Sequence, residues 1–382
     1  MKLLINFLQS HSGGARSYLR NILPFVGNWA EHDEMVVYVL LYQRQIDADK
    51  IDVNQLKFKL IIIDKVPKVF KPLAEQYIVQ KTIKKFEIDT LFTPYQIAFS
   101  FSGVKTVSML RNMEAFLHWQ YPSTLRNRIR NIILQAVSKL TLQKSDLIIA
   151  VSDFAKDYMV DELNIPESKI VRIYHGRDQR FSPIKHSNDD LILKQVNLES
   201  GSYIFTSGSI LPYRKLETII KAFSLSAENH DSTLIVAGDS NDAKYKALIA
   251  DEVKRSGVID RIHFLGFIDI EKIIVLYRHA QLFITATEIE ACPNIAIEAM
   301  ASSCRIIASD KSPLPEMFQD GATYFKAGES QDLANKINIF FSSPQGIISD
   351  FDINRFLWKY CAENTYKAIV RFGFEQKTSS PT

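Results

Sequence analysis

The residues best placed to do chemistry fall in three short segments. The first is Gly208-Ser-Ile-Leu-Pro-Tyr-Arg-Lys215, which lies between a strand-like run, Tyr203–Ser207, and a helix-like run, Leu216–Ser226. A glycine at such a junction lets main-chain N–H groups approach an anion, and the helix start adds partial positive charge. Arg214 and Lys215 stand at that same helix start, where two cations are unfavourable unless an anion lies beside them. With Gly208 and Ser209 they make a candidate diphosphate cradle; the plainer alternative is a solvated surface pair.

The second segment is Glu290-Ala-Cys-Pro-Asn-Ile-Ala-Ile-Glu298. Glu290 closes a loop after a strand, Pro293 suits a first helical turn, and Glu298 falls about one and a half turns inside the helix. Asn294 and Ile295 then present free N–H groups at the helix start. Two carboxylates so placed can grip sugar hydroxyls, but their spacing does not match a general acid–base pair. The alternative is a capping Glu290 and an exposed Glu298. The third segment, Gly13–Gly14, is another strand–glycine–helix junction, and it lacks the G-x-G-x-x-G pattern. An anion site and a plain tight turn both fit it. His11 beside it is a candidate for a cleft, His118 and Trp119 read as core or lid residues, and His175-Gly176 reads as a turn.

These segments need elements to hold them. In the first half, apolar strand-like runs (Leu3–Leu8, Met35–Leu41, Lys59–Ile63, Thr90–Thr93, Thr106–Leu110, Leu147–Val151, Ile170–Ile173) alternate with helical runs such as Ala15–Phe25, Ala74–Phe86 and Leu125–Leu142. In the last of these, Leu125, Ile129, Ile132, Ile133, Ala136, Val137 and Leu140 share one face at a 3.6-residue period. The polar stretch 182–202 reads as a linker, after which the alternation restarts and runs to a helix over Ser330–Phe341. A final helix is expected within Asp352–Phe372, packed either on the second domain or back on the first. Continuously apolar strands alternating with helices predict parallel sheets covered on both faces.

Composition sets outer bounds. A chain of 382 residues suits two α/β domains of about 180 residues each. The three cysteines, Cys292, Cys304 and Cys361, form no C-x-x-C pair, which fits a reducing compartment and argues against a zinc site. The five-residue apolar stretch near the N-terminus is short for a signal peptide, and no run is long enough to span a bilayer. Residues 1–180 hold 25 Lys and Arg against 18 Asp and Glu, whereas residues 181–382 hold 21 against 25. A basic first half fits an anionic partner such as a membrane surface or lipid diphosphate, or simply a solvated lysine-rich face. Nucleic acid fits poorly, because the basic stretches lack interleaved aromatics on a strand platform.

Taken together, these segments resemble the family 4 glycosyltransferases, retaining enzymes of GT-B architecture. The E-x7-E element from Glu290 to Glu298 is the family's most specific signature. Further likeness lies in residues 151–183, in GSILPYRKLETIIKAF (208–223), in IDRIHFLGFI (259–268) and in the stretch 298–325. Residues 150–340 match well; residues 30–140 match weakly.

The resemblance implies an α/β GT-B fold: two Rossmann-like, doubly wound parallel-sheet domains facing an interdomain cleft. Residues 1–182 would form the acceptor-side domain, 183–355 the nucleotide-sugar domain, and 356–382 a C-terminal helix and tail. It implies that Glu298 holds the donor ribose and that Glu290 faces the transferred sugar. Arg214 or Lys215 would neutralise the diphosphate, with Gly13–Gly14 against it from the other domain and the N–H groups of Asn294–Ile295 completing the cradle. The implied reaction moves a hexose from a nucleoside diphosphate sugar to a saccharide or lipid-linked acceptor. No cofactor or metal is expected, since no D-x-D cluster follows a strand in the donor half. The setting would be cytoplasmic, with a peripheral position on the inner membrane face as an option. A phosphorylase, a hydrolase or an inactive GT-B scaffold are the rival readings. Three departures stand out. Ser209 replaces a frequent arginine, Arg214 replaces a usual lysine, and the first domain shows no obvious histidine. There Leu110-Arg-Asn-Met-Glu114 leaves Arg111, Asn112 or Glu114 to line the cleft.

Overall fold

The computed structural model describes residues 1–10, 13–32, 35–52, 57–64, 66, 71–98, 100–121, 125–343 and 352–375. The chain forms two units, one of residues 1–118, 124–176 and 356 onward, the other of residues 119–123 and 177–355.

The first unit runs β1 (Lys2–Asn6), α1 (Gly13–His32), β2 (Val36–Tyr42), α2 (Gln43–Asp49), β3 (Lys59–Ile63), α3 (Lys71–Phe86) and β4 (Thr90–Thr93). It continues with β5 (Lys105–Leu110), α4 (Glu114–Leu117), α5 (Leu125–Lys144), β6 (Leu147–Ala150), α6 (Asp153–Asp161) and β7 (Ile170–Arg172). Its seven strands are all parallel in the order β3-β2-β1-β4-β5-β6-β7, with Leu4 opposite both Tyr38 and Leu91. The central strands are buried along their length because helices cover both faces, which is why they read as unbroken apolar runs.

The second unit comprises α7 (Asp189–Gln195), β8 (Tyr203–Ser207), α8 (Leu216–Ser226), β9 (Thr233–Ala237), α9 (Ala243–Arg255), β10 (Ile262–Gly266) and α10 (Ile270–His279). Then come β11 (Leu282–Thr285), α11 (Asn294–Ala301), β12 (Ile306–Ser309), α12 (Leu314–Phe318), β13 (Thr323–Phe325) and α13 (Ser330–Ser342). The strand order is β10-β9-β8-β11-β12-β13, all parallel. Phe223 of α8 and Leu333 and Ile337 of α13 share the core on one face of this sheet. In each unit the order reverses once, between β1 and β4 and between β8 and β11. Such a reversal opens a crevice at the carboxyl ends of the strands, where α/β proteins bind ligands.

The last helix, α14 (Trp358–Glu375), belongs to the first unit. Gly176 is its seat: a Cβ there would lie 2.3 Å from the main-chain nitrogen of Trp358. His175 stacks on the Trp358 ring with centroids 5.8 Å apart, Tyr18 of α1 meets that ring edge-on, and Trp29 contacts Tyr366. The His175-Gly176 turn is therefore the docking point of the C-terminal helix.

Beyond the short elements α12 and β13, which the sequence reading lacked, three departures have a clear physical cause. Helix α1 continues past Phe25 to His32 because Val26 and Trp29 keep its inner face apolar. Helix α2 was not expected; Gln45, at its N-terminal end, is buried and donates to the carbonyls of Phe7 and Ser10. The stretch read as a linker is built into the second unit through α7. Asp189 there is buried, with Nη1 of Arg278 at 2.9 Å and Nε2 of His279 at 2.9 Å from its carboxylate. Phe181, edge-on to Tyr277, also fixes this stretch.

Burial pushes the Asp189 carboxyl up, but hydrogen bonds from His279, Arg278 and the His186 N–H outweigh it and hold its pKa at about 2. A depressed carboxyl stabilises the fold fully above its ordinary value of about 3.9, and that contribution is lost as pH falls toward 2. Asp189→Asn strands Arg278 and is expected to cost about 3–5 kcal/mol near neutral pH. Chemical denaturation at pH 7 and pH 2.5 checks this: the deficit should shrink at the lower pH, and an equal deficit at both would contradict it.

Candidate functional site

In the second unit the crevice at the order reversal is bounded by the loop after β8 and the loop after β11. The chain leaves β8 through Gly208, whose φ of +111° is a backbone conformation that side chains resist. A Cβ at Gly208 would stand 3.0 Å from Nη1 of Arg214. Gly238, which follows β9 with φ +146°, is tighter still: its Cβ would lie 1.9 Å from the Gly208 carbonyl oxygen. The two glycines allow adjacent strand ends to close up and leave the Gly208 backbone open to the Arg214 guanidinium.

Arg214 ends a short turn over Pro212–Arg214, and Lys215 follows in the left-handed conformation, φ +52°, to start α8. The chain doubles back there, and the Arg214 side chain lies along Gly208. Its Nη2 stands 2.7 Å from Oε1 of Glu290 in a largely buried ion pair. Nε and Nη1 are buried with no hydrogen-bond partner among the described residues. Leaving charged donors buried and unpaired costs about 1–3 kcal/mol or more, so the arrangement suits an anion at this point. Lys215 Nζ lies 3.9 Å from Oε1 of Glu217 and 5.3 Å over the Tyr121 ring, while Glu217 accepts a hydrogen bond from the Tyr245 hydroxyl. The two cations at this helix start thus have carboxylate neighbours, which relieves part of the repulsion expected from sequence.

Glu298 projects from α11. Burial pushes its pKa up to about 7, against the opposing effects of a Tyr277 hydrogen bond and the Arg214 charge. The Tyr277 hydroxyl is itself 2.6 Å from Ser207 Oγ at the end of β8, so a hydroxyl chain joins β8 to α11. Glu290 is also raised by burial, with Arg214 opposing. Both carboxyls therefore answer to one guanidinium. The Asn294 Oδ1 at the start of α11 is buried without a partner among the described residues, and Ile295 beside it is half-buried. Ser209 is exposed at the mouth of a small cavity lined by Thr206, Gly208, Arg214 and Thr285.

Residues 13–181 match the family model described as Glycosyltransferase Family 4, and residues 188–351 match the model described as Glycosyl transferases group 1. The chain belongs to the family 4 glycosyltransferases. Its curated relatives include an uncharacterized glycosyltransferase of Methanocaldococcus jannaschii, MJ1607, 25% identical over 49% of this chain and 48% of that one. Another is the O-antigen chain mannosyltransferase RfbU of Salmonella typhimurium, 22% identical over 71% of this chain and 72% of that one. The alignment to the first spans about half of that relative's length. Among solved structures, Anabaena HepE in complex with UDP-glucose superposes with a TM-score of 0.69 at 17% identity, covering 99% of each chain. The fold is the two-sheet, Rossmann-like GT-B architecture of these transferases.

In this family 4 glycosyltransferase, Gly208, Ser209, Arg214, Lys215, Glu290, Asn294, Ile295 and Glu298 all lie in the second unit, around the β8 and β11 loops. Gly13 and Gly14 lie in the first unit, exposed at the start of α1, Gly13 with φ +53°. Gln45 holds the carbonyls of Phe7 and Ser10 after β1, and Arg16 of α1 pairs with Asp49 at 2.9 Å. Also in the first unit, Arg111 lies over the Tyr18 ring and donates to the Pro94 carbonyl. Glu114 pairs with Arg130 at 3.1 Å. His118 is buried, its Nδ1 3.0 Å from the Ala115 carbonyl. His11 lies outside the described residues.

Sequence reasoning missed Tyr121, Glu288, Tyr277, Ser207 and Gly238. Tyr121, in the short segment grouped with the second unit, donates to Glu288 Oε2 at 2.5 Å and meets Tyr213 edge-on. Gly238 had a signal that could have found it. Three successive strands of this sheet end at glycine, Gly208, Gly238 and Gly266, and the repeat marks a sheet edge that must stay open. Tyr277 had none, since its role depends on how α10 packs beside α11.

Two measurements test this geometry. Gly238→Ala places a methyl against the Gly208 carbonyl at a φ that alanine resists, so it should destabilise by about 3 kcal/mol or more in urea. A near-neutral result would contradict the close approach. The raised Glu298 carboxyl means that the folded chain keeps a proton which the unfolded chain releases above about pH 4.3. Its contribution to stability therefore declines as pH rises from about 4.3 to 7 and then levels off. Relative to Glu298→Gln, wild type should lose stability across that window, and parallel profiles would show that Glu298 titrates normally.

Proposed function

We propose that this protein transfers a hexose from a nucleoside diphosphate sugar to a saccharide or lipid-linked saccharide hydroxyl, with retention at the anomeric carbon, in the synthesis of a cell-surface polysaccharide. The observation that carries the reading is the Arg214 guanidinium, buried beside Gly208 with two of its nitrogens unpaired. A diphosphate oxygen is the anion that fits there, and it gains charge as the glycosidic bond breaks. Preorganised donors in a site of low polarity stabilise such charge most effectively. Lys215 adds a second cation at the start of α8. Glu298, with a pKa near 7, can accept from or donate to a ribose diol, and Glu290, held on Nη2 of Arg214, faces the sugar while the diphosphate takes Nε and Nη1.

The comparisons support this reading at their own level. One structural neighbour was solved with UDP-glucose, and one relative is named as a mannosyltransferase of O-antigen chains. Charge on the leaving diphosphate is met by Arg214 and Lys215, so we read the transfer as independent of divalent metal and of any cofactor. We read the setting as cytoplasmic, with the basic surplus of the first half drawing the protein to an anionic membrane surface.

A thermal-shift panel of UDP, GDP, ADP, TDP and CMP with their sugars tests the donor. At 100 times its dissociation constant the true ligand stabilises by about 2.7 kcal/mol. The shift should vanish in Glu298→Ala. Turnover in the Arg214→Ala, Lys215→Ala double variant should drop by about 100-fold or more. Wild-type rates there, or turnover abolished by EDTA, would overturn the charge assignment. The anomeric coupling constant of the product decides retention.

A further inference from the structure

Helix α5 is amphipathic in the reverse sense to a core helix. Its inward side carries Asn131, Ser138, Thr141 and Leu142, and Thr141 donates to the Ala98 carbonyl at 2.9 Å. Its apolar stripe faces out: Leu125 is 74% exposed, Ile129 50%, Ile132 44%, Ile133 57% and Leu140 56%. No acidic residue occurs in the helix. At 100° per residue, Arg126 and Lys144 flank the stripe on one side, and Arg128 and Lys139 flank it on the other.

Burying five aliphatic side chains stabilises, while exposing them in one stripe has no compensation among the described residues. Basic residues along both edges of an apolar stripe suit an anionic bilayer, where the aliphatics enter the acyl region and the long cationic side chains reach the phosphates. Two copies of α5 placed face to face would bring their basic edges together without acidic partners. The right-handed crossovers of the sheet put α3 on the same face as α5, and α3 adds Lys81, Lys84 and Lys85 to the field. No helix among the described residues is long and apolar enough to cross a membrane. We infer that α5 is an in-plane anchor that seats the first unit on an anionic lipid surface through Leu125, Ile129, Ile132, Ile133 and Leu140. This rests on the membrane reading above and names the element responsible.

Flotation of the full chain with phosphatidylcholine vesicles, with and without phosphatidylglycerol, tests it. Wild type should float only with the anionic vesicles, and less as ionic strength rises. Ile132→Ser with Ile133→Ser, and separately Arg126→Glu with Arg128→Glu, should each lower partitioning by about tenfold or more. Because these side chains are exposed, thermal midpoints should match wild type, which separates lost docking from lost folding. If wild type floats and both variants float equally, another surface holds the lipid; α5 is overturned and the membrane reading stands. If wild type never floats, both fall. A dimer in sedimentation that the isoleucine substitutions dissolve, without vesicle binding, would assign the stripe to a second copy and overturn the proposal.

Discussion

A single guanidinium constrains the second unit. Arg214 is buried where the order of the parallel strands reverses, and a buried cation must be matched by opposite charge and hydrogen-bond acceptors. Glu290 supplies one carboxylate oxygen. Gly208 and Gly238 supply the room, since a methyl on either would push the guanidinium or the neighbouring strand end away. Lys215 takes the left-handed turn that sends Arg214 back toward the sheet, although that conformation costs a side-chain-bearing residue of order 1 kcal/mol. Strain, missing side chains and unpaired donors converge on one point, as they do where a structure is arranged for a ligand and not for its own stability.

The parallel sheets decide where that point lies. In a parallel sheet every strand delivers its carboxyl end to the same edge, so loops distant in sequence meet there. That is how Gly208–Lys215 and Glu290–Glu298 come together although about 80 residues separate them. Burial then shifts both carboxyls the same way. Glu298 and Glu290 are both raised, and the same Arg214 opposes the shift in both. Neutralising this cation would raise both carboxyls further.

The first unit uses amphipathicity in two senses. Helices α1 and α14 bury aromatic faces against one another, with Tyr18, Trp29, Trp358 and Tyr366 in contact and Gly176 cleared for Trp358. Helix α5 has an equally regular apolar stripe and turns it to the outside, holding the body of the unit with Asn131, Ser138 and Thr141. The period of a pattern shows that a helix has two faces. Which face turns inward depends on whether the polar face finds partners, and Thr141 finds one in Ala98.

Strand–helix alternation and the placement of most strands could be read from the sequence, because apolar runs and turn glycines are local signals of burial and backbone conformation; that the eight second-unit candidates gather around the β8 and β11 loops is what the sheet adds. The demand of Arg214 and Lys215 for negative charge was also local, since two cations at one helix start repel; the carboxylates that meet part of it, Glu290 and Glu217, are set by the fold. Other features were not legible. Asp189 reads as part of a polar linker until Arg278 and His279, about 90 residues on, are packed against it. Tyr121 and Glu288 are unremarkable until their loops meet, and the direction in which α5 faces has no signature in its own period. From the sequence came most of the strands and helices, though not α2 or α7, and the places where charge and glycine coincide, because those depend on neighbours along the chain. Only the tertiary structure decided which carboxylate meets which cation and which apolar face stays in water, because those depend on partners that the sheet order brings together.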